Sequence, residues 1–329
     1  MAAPSACIVG VGAVGGWLAS LLHEAGWDVR LLARGATLAA VREHGLKVEA
    51  AGATRALRLA ASDDPGEIGP VDYAILTVKG QDLPALGPRL TPLLSGGGAL
   101  VTAMNGLQWW FTEGLPGPLE GEVLEAVDPG GVLRGLYPAQ RVIGAVVHAS
   151  ATSPEPGRVR LVGADRLTFG EPDGRGSERA ERLTEACASS GLNAAVSENI
   201  RLEIWRKLWG NMSMNPLGAL TRATTGRLLD DPETRALVGA MMGEMARLGD
   251  RLGLPLGMTP EERMAVTRKL GDFRTSMQQD AEAGRRLELN GLLTVLVEMA
   301  DRLGEPAPFL HAVHGLARQL DLSLAAAGR

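Results

Sequence analysis

The chain has 329 residues, 45% hydrophobic and 22% charged, which is ordinary globular composition and more length than one hydrophobic core usually sustains. Its formal net charge of −5 offers no broad attraction to nucleic acid, and no stretch approaches the roughly 20 apolar residues of a membrane span. No basic segment leads into an apolar core with a cleavage site at the amino terminus, so the reading is a cytoplasmic enzyme of two domains. Cys7 and Cys187, the two cysteines, are too few for a disulfide framework or a metal cluster and read as small buried hydrophobes.

The first predicted strand is Ala6-Cys7-Ile8-Val9, followed at once by Gly10-Val11-Gly12-Ala13-Val14-Gly15 and the helical pattern from Trp17 to Leu22. Strand, glycine turn and helix in this order form a dinucleotide fingerprint. Gly10 permits the turn, Gly12 lets backbone amides approach a pyrophosphate, and Gly15 allows close helix-to-strand packing. The next strand, Asp28–Leu32, ends near Arg34, where a protein that binds NAD would carry an acidic residue for the ribose hydroxyls. An arginine there suits a 2′-phosphate, so NADPH is the expected cofactor.

Further strands are predicted at 56–59, 73–78, 99–103 and 142–147, alternating with helical stretches as in a doubly wound sheet. Ligands of such sheets sit at the carboxyl ends of the strands. Lys79 and Asn105 stand at two of those ends, although Asn105-Gly106 could equally be an ordinary turn pair. Short strands with nearby turns follow between Arg158 and Phe169, a surface loop at 172–177, and from Asn199 onward the pattern is helical. The expected organisation is α/β, with a Rossmann-type sheet domain at 1–198 and an all-α domain at 199–329.

Helices are predicted at 199–221, 232–252, 260–269, 279–303 and 308–320, with a frayed tail from Leu322 to Arg329. The first carries Lys207, Asn211 and Asn215 at four-residue spacing among Trp205, Leu208, Trp209 and Met212. A polar ladder on an apolar helix needs partners, because a buried ammonium or amide without them costs several kcal/mol. It either pairs within the fold or faces a polar ligand. Ser276 stands where its hydroxyl could cap a helix or bind an oxygen anion, and Glu288 lies among leucines with Arg285 and Arg286 available as surface partners.

Taken together, these residues resemble the ketopantoate reductase (2-dehydropantoate 2-reductase) family. The resemblance runs through Gly10-x-Gly12-x-x-Gly15, Thr77-Val78-Lys79, Asn105-Gly106, His148-Ala149-Ser150, Trp205-Arg206-Lys207, Asn211, Asn215-Pro216, Ser276-Met277 and Glu288. It implies a fold like that of 6-phosphogluconate dehydrogenase and NADPH-dependent reduction of 2-dehydropantoate to pantoate, on the way to pantothenate and coenzyme A. Lys207 looks like the family's general acid. Asn211 and Asn215 look like substrate ligands, Ser276 like a contact to the substrate carboxylate end, Lys79 and Asn105 like cofactor contacts with Asn105 also within reach of substrate, and Glu288 like a residue where cofactor and substrate meet. The partner implied is a small 2-keto acid, and a homodimer is left open.

The pattern also departs from the family's. Thr225-Gly226 and Leu293-Thr294 stand where Asn-Gly pairs are usual, Asn290 replaces an acidic residue, and Trp109-Trp110-Phe111 adds bulk after Asn105. A wall of Trp109 and Trp110 would suit a larger 2-keto acid, while a loop packed against the helical domain would account for them equally. A cofactor-sensing protein without catalysis is the remaining alternative, against which the Lys207 ladder argues.

Overall fold

A computed structural model describes residues 3–50 and 52–327. Among the described residues, ten strands form one sheet: β1 Ser5–Val9, β2 Asp28–Leu32, β3 Leu46–Ala50, β4 Ala53–Leu57, β5 Ala60–Ser62, β6 Tyr73–Leu76, β7 Ala99–Thr102, β8 Val142–Glu155, β9 Arg158–Gly170 and β10 Asn193–Val196. The order is β4-β3-β9-β8-β7-β6-β1-β2-β5, with β10 beside β9. The run from β5 to β8 is parallel throughout, which requires crossover connections and hides both faces of the central strands. Their sequences are accordingly continuous apolar runs: Ala6, Cys7, Ile8 and Val9 are fully buried, as is every residue of β6 and β7.

The chain forms two compact units, Met1–Met104 with Val132–Ile200 and Asn105–Gly131 with Arg201–Arg329. The sheet occupies the first and helices dominate the second, the α/β-then-α order expected from the sequence. Segment 105–131 belongs to the second unit, whereas the sequence reading placed it within 1–198. The reason is chemical. Trp110 and Phe111 are fully buried, and Phe111 stacks on Trp205 at 6.1 Å between ring centroids. Arg201, buried at the start of helix Ile200–Thr221, donates to the carbonyls of Phe111 (2.8 Å) and Glu113, and its guanidinium lies 5.7 Å from the Trp110 ring centroid. At the far end of the segment, Glu298 accepts the amides of Glu125 and Ala126, each at 2.8 Å.

Three sequence expectations are corrected. The strand expected at 56–59 is β4, which starts three residues earlier and pairs with β3, a strand that the pattern did not reveal because Lys47 and Glu49 break its apolar run. The helix expected at 279–303 is interrupted: Ser276–Glu282 stops at Gly284, which adopts φ 68, and a π-helix at Asn290–Thr294 leads into Val295–Leu303. The frayed tail is ordered helix as far as Ala327, continuous from Pro308; Gly328 and Arg329 lie outside the described residues. No helix among the described residues is long and apolar enough to cross a membrane. Burial raises both thiol pKa values to about 12, so Cys7 and Cys187 are inert packing groups.

Arg201→Met keeps the length of the side chain but leaves two carbonyl acceptors of segment 105–131 without their donor. Unfolding in urea should show a loss of about 3–6 kcal/mol, the sum expected for two hydrogen bonds from a charged donor; a change below about 0.5 kcal/mol would mean that this clamp does not hold the segment.

Candidate active site

In the first unit the glycine loop is fixed by close approach. Gly10 has φ 97, and a Cβ there would lie 2.6 Å from Val78 Cγ1, while a Cβ on Gly15 would overlap the Gly10 carbonyl and the Thr77 hydroxyl. Thr77 in turn donates to the Gly10 carbonyl at 2.6 Å. Gly12 differs: it is the N-cap of helix Ala13–Glu24, carries no side-chain cap, and a Cβ there would enter open space. An uncapped helix amino terminus whose cap residue has open space in place of a side chain lets a pyrophosphate come close to the backbone, so the residues present fit a dinucleotide. Val11, Ala13 and Val14 supply the intervening backbone.

Two cations border this loop. Lys79 follows Val78 directly and precedes a short turn, Gly80–Asp82. Arg34, after β2, is 85% exposed, with its guanidinium 3.7 Å from the Asp82 carboxylate. An exposed pair at that distance contributes little, leaving the guanidinium available to a phosphate.

In the second unit the polar ladder of helix Ile200–Thr221 is assembled with residues from three other segments. Lys207 donates to Asn105 Oδ1 at 2.8 Å. Asn105 is held there because Leu107 N donates to the Gly291 carbonyl at 2.8 Å, and because Gly106, at φ 80, lies so close to Gly291 that a Cβ would overlap its backbone. Gln108, buried, donates to the carbonyls of Asn105 and Gly106. Burial lowers the Lys207 pKa to about 8, against an opposing pull from the Glu288 carboxylate. Glu288 is half-buried just before the π-helix; Arg285 pairs with Asp280 and Arg286 with Asp321, so the charge of Glu288 acts on Lys207.

Further along the same helix the side-chain amides of Asn211, half-buried, and Asn215, buried, make no hydrogen bond among the described residues. Two amides left open beside a paired lysine are donors and acceptors reserved for something that is not protein. Gly218 continues the face, and a Cβ there would lie 3.2 Å from Thr275 Oγ1, so helix Ser276–Glu282 begins beside it. Thr275 is the cap, accepting from Gln278 N at 3.2 Å. Ser276 is exposed, and its hydroxyl has no protein partner among the described residues.

The structure thus brings Lys207, Asn105 and Glu288 together, with Asn211, Asn215 and Ser276 in sequence along one side. Sequence reasoning missed Arg201, Gln108 and the π-helix. A basic residue opening an otherwise apolar, tryptophan-rich helix was the available sign of Arg201; nothing local marks a π-helix. The tryptophans resolve differently from a pocket wall: Trp109 and Trp110 are 2% and 0% exposed and serve as core. Among the positions that depart from the family pattern, Thr225 exchanges hydrogen bonds with the backbone of Phe273, Leu293 is fully buried, and the Thr294 hydroxyl lies 3.1 Å from His314 Nε2.

The family model described as ketopantoate reductase PanE/ApbA matches residues 6–174, and the one for its C-terminal region matches 199–321. The chain is 40% identical to the 2-dehydropantoate 2-reductase of Mesorhizobium japonicum, over 95% of this chain and 96% of that protein. It is 27% identical to the 2-dehydropantoate 2-reductase of Archaeoglobus fulgidus, over 90% and 91%. Among solved structures, a protein from Ralstonia solanacearum assigned as a ketopantoate reductase superposes with a TM-score of 0.93 at 41% identity, covering 98% of this chain and 99% of that one. Family models matching residues 6–174 and 199–321, with a 2-dehydropantoate 2-reductase 40% identical along nearly the whole chain, place the chain in the ketopantoate reductase family.

Proposed function

We propose that the protein reduces 2-dehydropantoate to pantoate with NADPH, with Lys207 as the proton donor. One observation carries the reading: an ammonium whose pKa burial has brought to about 8, held by Asn105 and followed by two open amides. A general acid works best with a pKa near the working pH, and an ordinary lysine is too weak an acid for that.

When bound, the reduced nicotinamide supplies the hydride to the keto carbon. The carbonyl oxygen then gains negative charge, and Lys207 meets it with a charge-assisted hydrogen bond and passes its proton to that oxygen. Asn105 fixes the direction of the ammonium. Glu288 keeps it protonated to higher pH than burial alone would allow. Asn211 and Asn215 orient the acid without adding charge, and Ser276 offers a further hydroxyl. In the other unit the amides after Gly10 and Gly12 take the pyrophosphate, Gly15 keeps the helix close to the strand, and Lys79 and Arg34 take phosphate charge, Arg34 that of the 2′-phosphate. Burial of Trp109 and Trp110 removes the reason to favour a bulkier keto acid.

Lys207→Ala should lower turnover with saturating 2-dehydropantoate by about two to four decades, the range for a positioned acid, while leaving NADPH affinity nearly intact. Near-normal turnover, or lost NADPH binding in a folded variant, would refute the role. Arg34→Ala should weaken NADPH binding by about one to two decades and NADH binding hardly at all, as loss of one charge-assisted contact implies. Equal affinity of the unmodified protein for both cofactors, measured by fluorescence titration, would exclude the 2′-phosphate assignment.

A further inference from the structure

Glu288 lies in segment 285–289, which is neither helix nor strand and joins helix Ser276–Glu282 to the π-helix. A segment outside any helical or sheet ladder is held by whatever partners its backbone and side chains find elsewhere. The two residues just before Glu288 find theirs on the last helix, Pro308–Ala327. Asp321, buried on that helix, accepts the Leu287 amide at 2.8 Å through Oδ1. The same carboxylate takes the Arg286 guanidinium with both oxygens, Nε at 2.8 Å and Nη2 at 2.5 Å. Leu287 and Leu289, on either side of Glu288, are buried.

Three hydrogen bonds, two of them in a bidentate charged pair, fix direction as well as place. His314, seven residues before Asp321 and so on the same face of the last helix, stands 3.1 Å from the hydroxyl of Thr294 at the end of the π-helix. The last helix therefore grips the stretch around Glu288 from both ends. Among the other charged groups here, Arg285 is held by Asp280, Arg318 is exposed, and the pKa of His314 is lowered by burial and by Arg318 and His311.

We propose that Asp321 is a positioning residue: by fixing Arg286 and Leu287 it places the Glu288 carboxylate where it acts on Lys207. This rests on the reading of Lys207 as the proton donor with Glu288 as its counter-charge. The effect passes through the two residues that Asp321 holds and not through its own charge, and the two routes differ in sign at Arg286. Removing a cation that acts through space would raise the lysine pKa, whereas releasing Glu288 lowers it.

The test reads the pH midpoint of kcat/KM for 2-dehydropantoate reduction in Asp321→Asn and Arg286→Met, each alone and combined with Glu288→Gln. Asp321→Asn should move the midpoint to lower pH by about 0.5–1 unit, a part of what a neighbouring opposite charge commands. Arg286→Met should move it the same way by less, because Asp321 still accepts the Leu287 amide. Neither should move it further once Glu288 is glutamine. Arg286 is more than half exposed, so its variant carries the test if Asp321→Asn fails to fold. An upward shift in Arg286→Met, equal shifts with and without Glu288, or an unmoved midpoint overturns the proposal; the last, with a lowered melting temperature, would show a clamp that serves stability alone. Failure of the underlying reading is distinct: full turnover in Lys207→Ala, or a midpoint that does not fall in Glu288→Gln.

Discussion

An ammonium withdrawn from water has to be given oxygen acceptors and counter-charge, and most of the second unit is arranged around that requirement for Lys207. The helix that carries it is apolar on its other sides, with Trp205, Trp209 and Met212 in the core, so the lysine cannot simply turn outward. Asn105 supplies the acceptor and Glu288 the charge. The remaining imbalance leaves the lysine with a pKa of about 8, close to where a proton donor is most effective.

Holding Asn105 in place explains why segment 105–131 packs with the helices. Its carbonyls are clamped by Arg201, its aromatic run lies under Trp205, and its opening turn rests on Gly291 within the π-helix. A π-turn inserted in a helix is rare and concentrates at functional sites, because it re-aims neighbouring residues. Here it begins two residues after Glu288 and receives the Asn105-Gly106 turn, so the acceptor and the counter-charge of Lys207 both adjoin one local distortion.

Much of this was legible in the sequence. The glycine loop announces itself because its glycines are needed for sterics, and the lysine ladder because four-residue spacing is the period of the helix. Residues whose partners are distant were not legible. β3 carries Lys47 and Glu49 and lacks a continuous apolar run; Arg201 and Gln108 bond to carbonyls, which leave no mark in a sequence; and Asp321 pairs with Arg286, 35 residues earlier. The tryptophans after Asn105 show the converse: their type predicted burial or a pocket equally well, and only the packing decided for burial.

The central claim is that the buried ammonium is the acid and that Glu288 sets its strength. The most direct measurement is kcat/KM for keto-acid reduction as a function of pH, for the unmodified enzyme and for Glu288→Gln. Reduction needs the protonated lysine, so the rate should be flat on the acid side and fall as pH rises through about 8. Because the carboxylate pulls the lysine pKa upward, its removal should move that midpoint to lower pH. A profile with no fall between about pH 7 and 10, or a midpoint that stays in place or moves upward in Glu288→Gln, would contradict the account.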